Sequence, residues 1–82
     1  MAATRDSSDG RHVSVSWVAA HAADFYIVRY GLASSGNLFH NFQVYGTTAT
    51  EIRALVTGVD YDFAVDAVNE NGVTLGKGLV TA

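Results

Sequence analysis

An alternating stretch at residues 61–69 places the strongest constraint on the fold. Every second residue from Tyr61 is apolar or aromatic, and Asp62, Ala64 and Asp66 lie between them. Because side chains alternate between the two faces of a sheet, this pattern predicts a strand with one buried face. The residues predicted to be buried are Tyr61, Phe63, Val65 and Ala67.

The residues that lead into this strand indicate a tyrosine corner. Leu55 and a tight turn centred on Gly58 precede Tyr61. In a tyrosine corner the ring packs inward, and the hydroxyl is hydrogen-bonded to backbone a few residues upstream. We therefore expect Leu55 and Tyr61 in the core of a β-sandwich.

Further strands are predicted on both sides of the alternating stretch. Residues 12–18, 24–31, 38–46 and 50–55 combine β-branched and aromatic residues with turn signals between them, and residues 73–82 suit an edge strand. Short strands at intervals of about 8–12 residues predict an all-β Greek-key sandwich of six or seven antiparallel strands. Their expected core residues are Val13, Val15, Trp17, Tyr26, Val28, Tyr30, Phe42, Val44, Ile52, and either Leu75 or Leu79.

The N-terminal segment, residues 1–11, is polar and rich in turn residues. It has no clear strand signal before Gly10, so the first strand is predicted to be a short edge strand or missing. The domain proper is predicted over residues 12–82. The abrupt polar start also leads us to expect a piece excised from a longer protein.

Composition excludes several classes of function. The formal charge is −3 with only five Lys+Arg, whereas nucleic-acid binding needs clustered basic side chains. The absence of cysteine excludes disulfides and thiolate metal sites. No apolar run reaches the roughly 18 residues that a membrane helix needs. We expect one domain without a cofactor.

The acidic and imidazole side chains do not predict a catalytic site. Asp62 and Asp66 lie on one face of one strand, with backbones roughly 13 Å apart, which is not a pair facing across a cleft. We expect a solvated face on which Arg29 partly balances the charge. A calcium site at these aspartates and Glu70 is the less favoured alternative. The histidines at positions 12, 21 and 40 are on separate segments, so we expect no metal site and no enzyme.

With the strands placed, the sequence resembles a fibronectin type III domain over roughly residues 12–80. The residues that carry the resemblance are in segments 13–17 and 26–31 and in the tyrosine corner, where Thr57 replaces the family's proline. The chain lacks proline and has no Arg-Gly-Asp sequence at residues 69–72, so the integrin-binding role of some animal members is not implied.

Segments 42–46 and 65–74 look like modules at the ends of bacterial glycan-degrading enzymes, including glycoside hydrolase family 43. This resemblance implies an accessory, non-catalytic interaction or spacer module of a secreted, periplasmic or cell-surface carbohydrate-active enzyme. A neighbouring domain of the same polypeptide is then the expected partner. A glycan or another protein is the alternative partner.

A set of apolar side chains that point outward indicates where a neighbouring domain would bind. If Tyr26, Val28 and Tyr30 face the core, then Phe25 and Ile27 point outward, near Val68 and Tyr45. A contiguous exposed patch of this kind often marks contact with another domain, whereas scattered apolar side chains have no such meaning. Both interpretations are open at this point, as is stacking of sugar rings on exposed aromatics such as Tyr45, Phe39 or Phe25.

Overall fold

The structure is a computed structural model that describes residues 1–20, 23–74, 76 and 79–82. Within these residues the chain forms eight strands and one short 3-10 turn at Ala33–Ser35. The strands are β1 (Ala2–Arg5), β2 (Val13–Ser16), β3 (Phe25–Leu32), β4 (His40–Val44), β5 (Ala49–Ile52), β6 (Tyr61–Asn69), β7 (Gly72–Thr74) and β8 (Val80–Thr81).

The strands form two antiparallel sheets. The smaller sheet has the order β1-β2-β5. The larger sheet has the order β4-β3-β6, and both β7 and β8 pair with β6. One hydrophobic cluster contains residues of both sheets, which makes the fold a sandwich. The predicted all-β antiparallel sandwich is thus confirmed.

The core lies between the two sheets. Val13 and Val15 from β2 and Val28 and Phe63 from β3 and β6 are at most 1% exposed. Burial of each such side chain contributes about 1.5–3 kcal/mol, so these contacts are the main force that holds the sheets together. The cluster also contains Val44, Ile52, Leu55 and Tyr61, with Trp17, Tyr30 and Val65 partly buried against it; Tyr26 is buried as well.

The tyrosine corner has the hydrogen bond that its sequence predicts. The ring of Tyr61 is buried, and the backbone N–H of Val56 donates to the Tyr61 hydroxyl at 3.0 Å. Gly58 has φ of +82°, a left-handed conformation that glycine adopts without a Cβ clash. The corner therefore fixes the loop between β5 and β6 onto the first residue of the central strand.

The first strand is present, and it is short. β1 pairs with β2 in a register that places Ala3 opposite Val15. Ala3 packs against the core, whereas its neighbours Ala2 and Thr4 are exposed. Alanine gives only a weak alternation signal, which is why the sequence did not distinguish a short strand from a missing one.

The last segment differs from the single edge strand that the sequence predicts. β7 and β8 pair with opposite ends of β6, and Gly76 lies between them. A Cβ at Gly76 would lie 2.1 Å from the carbonyl oxygen of Val65, so only glycine permits this approach. Leu79 is 61% exposed, so its expected place in the core is wrong. Leu75 lies outside the described residues.

Candidate functional site

A row of apolar side chains crosses the outer face of the larger sheet. The rings of Phe25 and Tyr45 stack with centroids 4.8 Å apart and an interplanar angle of 24°. Phe25 lies directly opposite Val68 on β6, and Val68 lies directly opposite Val73 on β7. We call these four residues the outer row. The row is contiguous because directly opposite residues of antiparallel strands have adjacent side chains on one face.

The two ends of the outer row are the most exposed. Tyr45 is 62% exposed and Val73 is 53% exposed, whereas Phe25 and Val68 are half-buried. Ile27 lies on the same face, opposite Gln43 and Asp66, and it is also half-buried. The structure therefore brings together all four residues that the sequence predicted for this surface. Val73 was missed, although the turn between Asn69 and Gly72 implies the pairing of Val68 with Val73.

Beside Ile27, the outer face carries an ion pair between Arg29 and Asp66, and the Asp66 carboxylate is buried. The Asp66 carboxylate accepts hydrogen bonds from Arg29 Nε at 2.7 Å and Nη2 at 3.0 Å, and from the backbone N–H of Gly76 at 2.9 Å. Asp66 is 2% exposed. The expectation of a solvated acidic face is therefore wrong, although Arg29 is the partner that was predicted.

Gly76, which lies between β7 and β8, contributes to the burial of Asp66. Across the gap between these two strands, Gly76 reaches the backbone of β6 and donates to Asp66 instead of to a ladder carbonyl. Ala64, opposite Arg29 on the same face, is also fully buried. The surface open to a partner is consequently the half of the outer face that carries the outer row.

A second polar centre lies at the opposite end of β6, around Arg5. All five N–H donors of its guanidinium are directed at backbone carbonyl oxygens. Nη1 donates to Val59 at 2.7 Å and to Ala82 at 3.2 Å, and the guanidinium carbon lies 5.6 Å from the centroid of the Tyr61 ring. Nε and Nη2 donate to Gly10, and Nη2 also donates to Val56 at 2.8 Å. Arg5 thus joins β1 to three other segments, which are the turn at Gly10, the loop between β5 and β6, and the C-terminal residue, and it has a structural role that the sequence did not indicate.

His12 lies between two carboxylates. Its Nε2 is 3.4 Å from Asp9 Oδ2, and its Nδ1 is 3.4 Å from Glu51 Oε1. Arg11 and Arg53 pair with the same carboxylate oxygens, at 3.0 and 3.2 Å. Because the carboxylates lie on opposite sides of the imidazole, they hold the ring and do not converge on a common point.

The lowered pKa of Asp9 in this charged cluster makes the free energy of unfolding depend on pH. Hydrogen bonds from the side chain and backbone N–H of Arg11 lower the pKa of Asp9 from 3.8 to about 2. A carboxyl group with a lowered folded-state pKa contributes stability above its unfolded pKa and loses it as the pH falls. For Asp9 this loss occurs between about pH 4 and pH 2.

We expect the variant Asp9→Asn to remove this part of the acid dependence. The free energy of unfolding of the wild type should fall between pH 4 and pH 2 more steeply than that of the variant, and the two curves should converge below pH 2. Urea unfolding at a series of pH values measures this. Glu51→Gln, whose side chain lies on the other side of His12, is the matched control. Parallel curves for wild type and Asp9→Asn would contradict the assignment.

An apolar cleft of about 450 Å³ opens beside β6 and β8. Trp17 forms one wall and packs edge-on against Tyr26, with centroids 5.3 Å apart. The indole N–H of Trp17 is buried and has no hydrogen-bond partner among the described residues. The described lining includes no carboxylate and no imidazole, so it contains no acid–base pair.

The remaining titratable groups are dispersed. His40 stacks on Tyr30 with centroids 4.9 Å apart, Asp62 accepts a hydrogen bond from the Thr81 hydroxyl at 2.6 Å, and His21 lies outside the described residues. Within the described part of the chain, no group of three or more His, Asp or Glu residues is placed to hold a metal ion. The described helical structure includes nothing long and apolar enough to cross a membrane.

The described residues form a small β-sandwich whose larger sheet carries a contiguous apolar row on its outer face. No protein-family model matches the chain, and no curated protein is similar enough to it to count as a relative.

Proposed function

We propose that this chain is a non-catalytic interaction module that packs on a neighbouring domain of the same polypeptide through the outer row. The contiguity of Tyr45, Phe25, Val68 and Val73 across the larger sheet is the observation that carries this proposal. An isolated soluble domain gains nothing from such a row, whereas a domain interface buries it.

The stacked pair of Phe25 and Tyr45 suits the centre of an interface. Large aromatic residues dominate binding energy at interfaces, and side chains that are already held in place lose little conformational entropy when a partner covers them. The Tyr45 ring is fixed on one side by Phe25, and its hydroxyl donates to Gln43 Oε1 at 3.1 Å. Tyr45 is therefore an exposed but ordered contact group.

The resemblance to fibronectin type III domains supports the class of module. Immunoglobulin-like sandwiches place strands A, B and E in one sheet and strands C, F and G in the other, with a tyrosine corner between strands E and F. β1, β2 and β5 share one sheet here, and the corner hydrogen bond is present. Segments 42–46 and 65–74 carry the resemblance to accessory modules of bacterial carbohydrate-active enzymes, and they contain three of the four outer-row residues. The proposed location is accordingly secreted, periplasmic or at the cell surface.

A second candidate function is direct glycan binding, which the 62% exposed Tyr45 and the 72% exposed Phe39 favour. Sugar rings stack on exposed aromatic faces, and the amides of Gln43 and Asn41 on the same face could donate hydrogen bonds to hydroxyls. Titration with neutral oligosaccharides separates the two functions. Docking on a domain predicts no binding at millimolar oligosaccharide, whereas saturable binding that Tyr45→Ala abolishes would favour glycan recognition.

The docking function is tested by co-expression of the chain with the neighbouring domain of its polypeptide. We expect Phe25→Asp and Ile27→Lys each to weaken association at least tenfold, because each puts a charge into an apolar contact. Ser16→Asp is the matched control, since Ser16 is exposed on the smaller sheet and lies opposite alanines. Unchanged association of both outer-face variants would overturn the proposal.

A further inference from the structure

The free edge of the larger sheet carries a stretch that is chemically symmetrical. Centred on Phe42, the stretch has an amide residue on each side, Asn41 and Gln43, and an aromatic residue three positions away on each side, Phe39 and Tyr45. A strand read in the opposite direction therefore presents the same kind of side chain at five of the seven positions from Phe39 to Tyr45; the exceptions are His40 and Val44, which exchange places. Antiparallel pairing with an identical strand brings residues at equal distances on the two sides of Phe42 opposite each other, so this symmetry makes most of the stretch self-complementary.

β4 is an edge strand without the usual protection. It pairs with β3 on one side, and none of the described residues pairs with its other side. Proteins protect such edges with Lys, Pro, bulges or inward-pointing charges. Here no Asp, Glu, Lys or Arg lies between Arg29 and Glu51, and the chain has no proline. The edge is open to a further strand.

Phe42 offers an apolar surface to a strand that pairs with this edge. It lies opposite the fully buried Val28 and so faces the inner side of the sheet, yet it remains 42% exposed. Its neighbour on that face, Val44, is only 6% exposed. The smaller sheet therefore covers Val44 but leaves Phe42 partly uncovered. A second Phe42 placed directly opposite would cover this ring.

We propose that two copies of this chain pair antiparallel through β4 about a two-fold axis at Phe42. In this register Phe42 faces its equivalent, Asn41 of one copy faces Gln43 of the other, and Phe39 faces Tyr45. These three kinds of pair are compatible, His40 of one copy faces Val44 of the other, and no like charges are opposed. Pairing joins the larger sheets of both copies into one continuous sheet, with Phe39 of one copy beside Tyr45 at the end of the other copy's outer row.

The symmetry selects a second copy as the occupant. If a strand from a different protein paired with this edge, each residue of β4 would face a residue of that protein. The likeness of Phe39 to Tyr45 and of Asn41 to Gln43 would then have no role. In an isologous interface both pairs face each other at once, and each pair is compatible. The inference concerns the edge of the sheet and goes beyond docking of the outer row, which uses the face of the sheet.

Sedimentation equilibrium with paired charge variants tests the register. The wild type should show concentration-dependent dimers. Asn41→Lys combined with Gln43→Lys places like charges opposite each other twice and should raise the dimer dissociation constant about tenfold or more. Asn41→Lys combined with Gln43→Glu places opposite charges there and should preserve or tighten the dimer. These variants leave Phe25 and Ile27 intact, so failure here is distinguishable from failure of docking.

A cysteine variant tests the two-fold axis directly. Directly opposite residues of antiparallel strands have Cα atoms about 4.5–5.5 Å apart, within the range of a disulfide. The chain has no cysteine, so Phe42→Cys should give a single crosslinked dimer on mild oxidation, and Val73→Cys on the other edge should not. A wild type that stays monomeric up to about 1 mM, equal association of the two charge variants, or equal crosslinking of the two cysteine variants would overturn the proposal.

Discussion

Replacement of Asp66 by alanine is expected to lower the free energy of unfolding by about 2–3 kcal/mol, because it removes the buried carboxylate of an ion pair whose arginine is partly buried. The Arg29 guanidinium would lose both hydrogen bonds, and the backbone N–H of Gly76 would lose its acceptor. A buried donor without a partner costs its full desolvation penalty. Guanidinium chloride unfolding measures the loss.

The matched control for this variant is Asp62→Ala, on the same strand and the same face. Asp62 accepts one exposed hydrogen bond from Thr81 and has no salt bridge among the described residues. Its replacement should cost less than about 1 kcal/mol. Equal losses for the two variants would show that Asp66 behaves as a surface carboxylate, as the sequence alone suggested.

Replacement of Arg5 by alanine is expected to cost about 3–4 kcal/mol, although Arg5 lies on a four-residue edge strand. The guanidinium donates to the carbonyl groups of Gly10, Val56, Val59 and Ala82, and it also lies over the Tyr61 ring. Hydrogen bonds from a charged donor contribute more than neutral ones, and removal of the donor leaves several acceptors unpaired.

Two further variants define what Arg5 does. Arg5→Lys should recover only a minor part of the loss, since an ammonium group has three donors at one point and lacks the planar fork. Arg53→Ala, which removes an exposed arginine paired with Glu51, should cost at most about 1 kcal/mol. A loss for Arg5→Ala no larger than that for Arg53→Ala would contradict the structural role of Arg5.

Alternation in the sequence was sufficient to predict β2 to β6 and the face that each of them turns to the core. Val13, Val15, Val28, Phe63 and the tyrosine corner each follow from a local pattern of a few residues, since side-chain direction in a strand depends only on position. The same local rule placed Phe25, Ile27, Val68 and Tyr45 on one outer face. Their contiguity required the cross-strand register, which the structure supplies.

The two polar centres could not be predicted in this way. Alternation determines which face Asp66 lies on but not whether another segment covers that face, and the cover depends on Gly76 in the gap between two edge strands. The partners of Arg5 are 5, 51, 54 and 77 residues away along the chain. No periodic pattern relates residues at such separations, so the role of Arg5 emerges only from tertiary structure.

Hydroxyl-radical footprinting of the intact polypeptide, compared with the isolated chain, tests the docking function most directly. Both samples are kept at a concentration at which sedimentation equilibrium shows monomers, so that pairing of copies does not contribute. We predict that oxidation of Phe25 and Tyr45 falls several-fold in the intact polypeptide, while Leu32, which is 43% exposed at the far end of β3, is unchanged. Equal oxidation of Phe25 and Tyr45 in both samples would contradict the account.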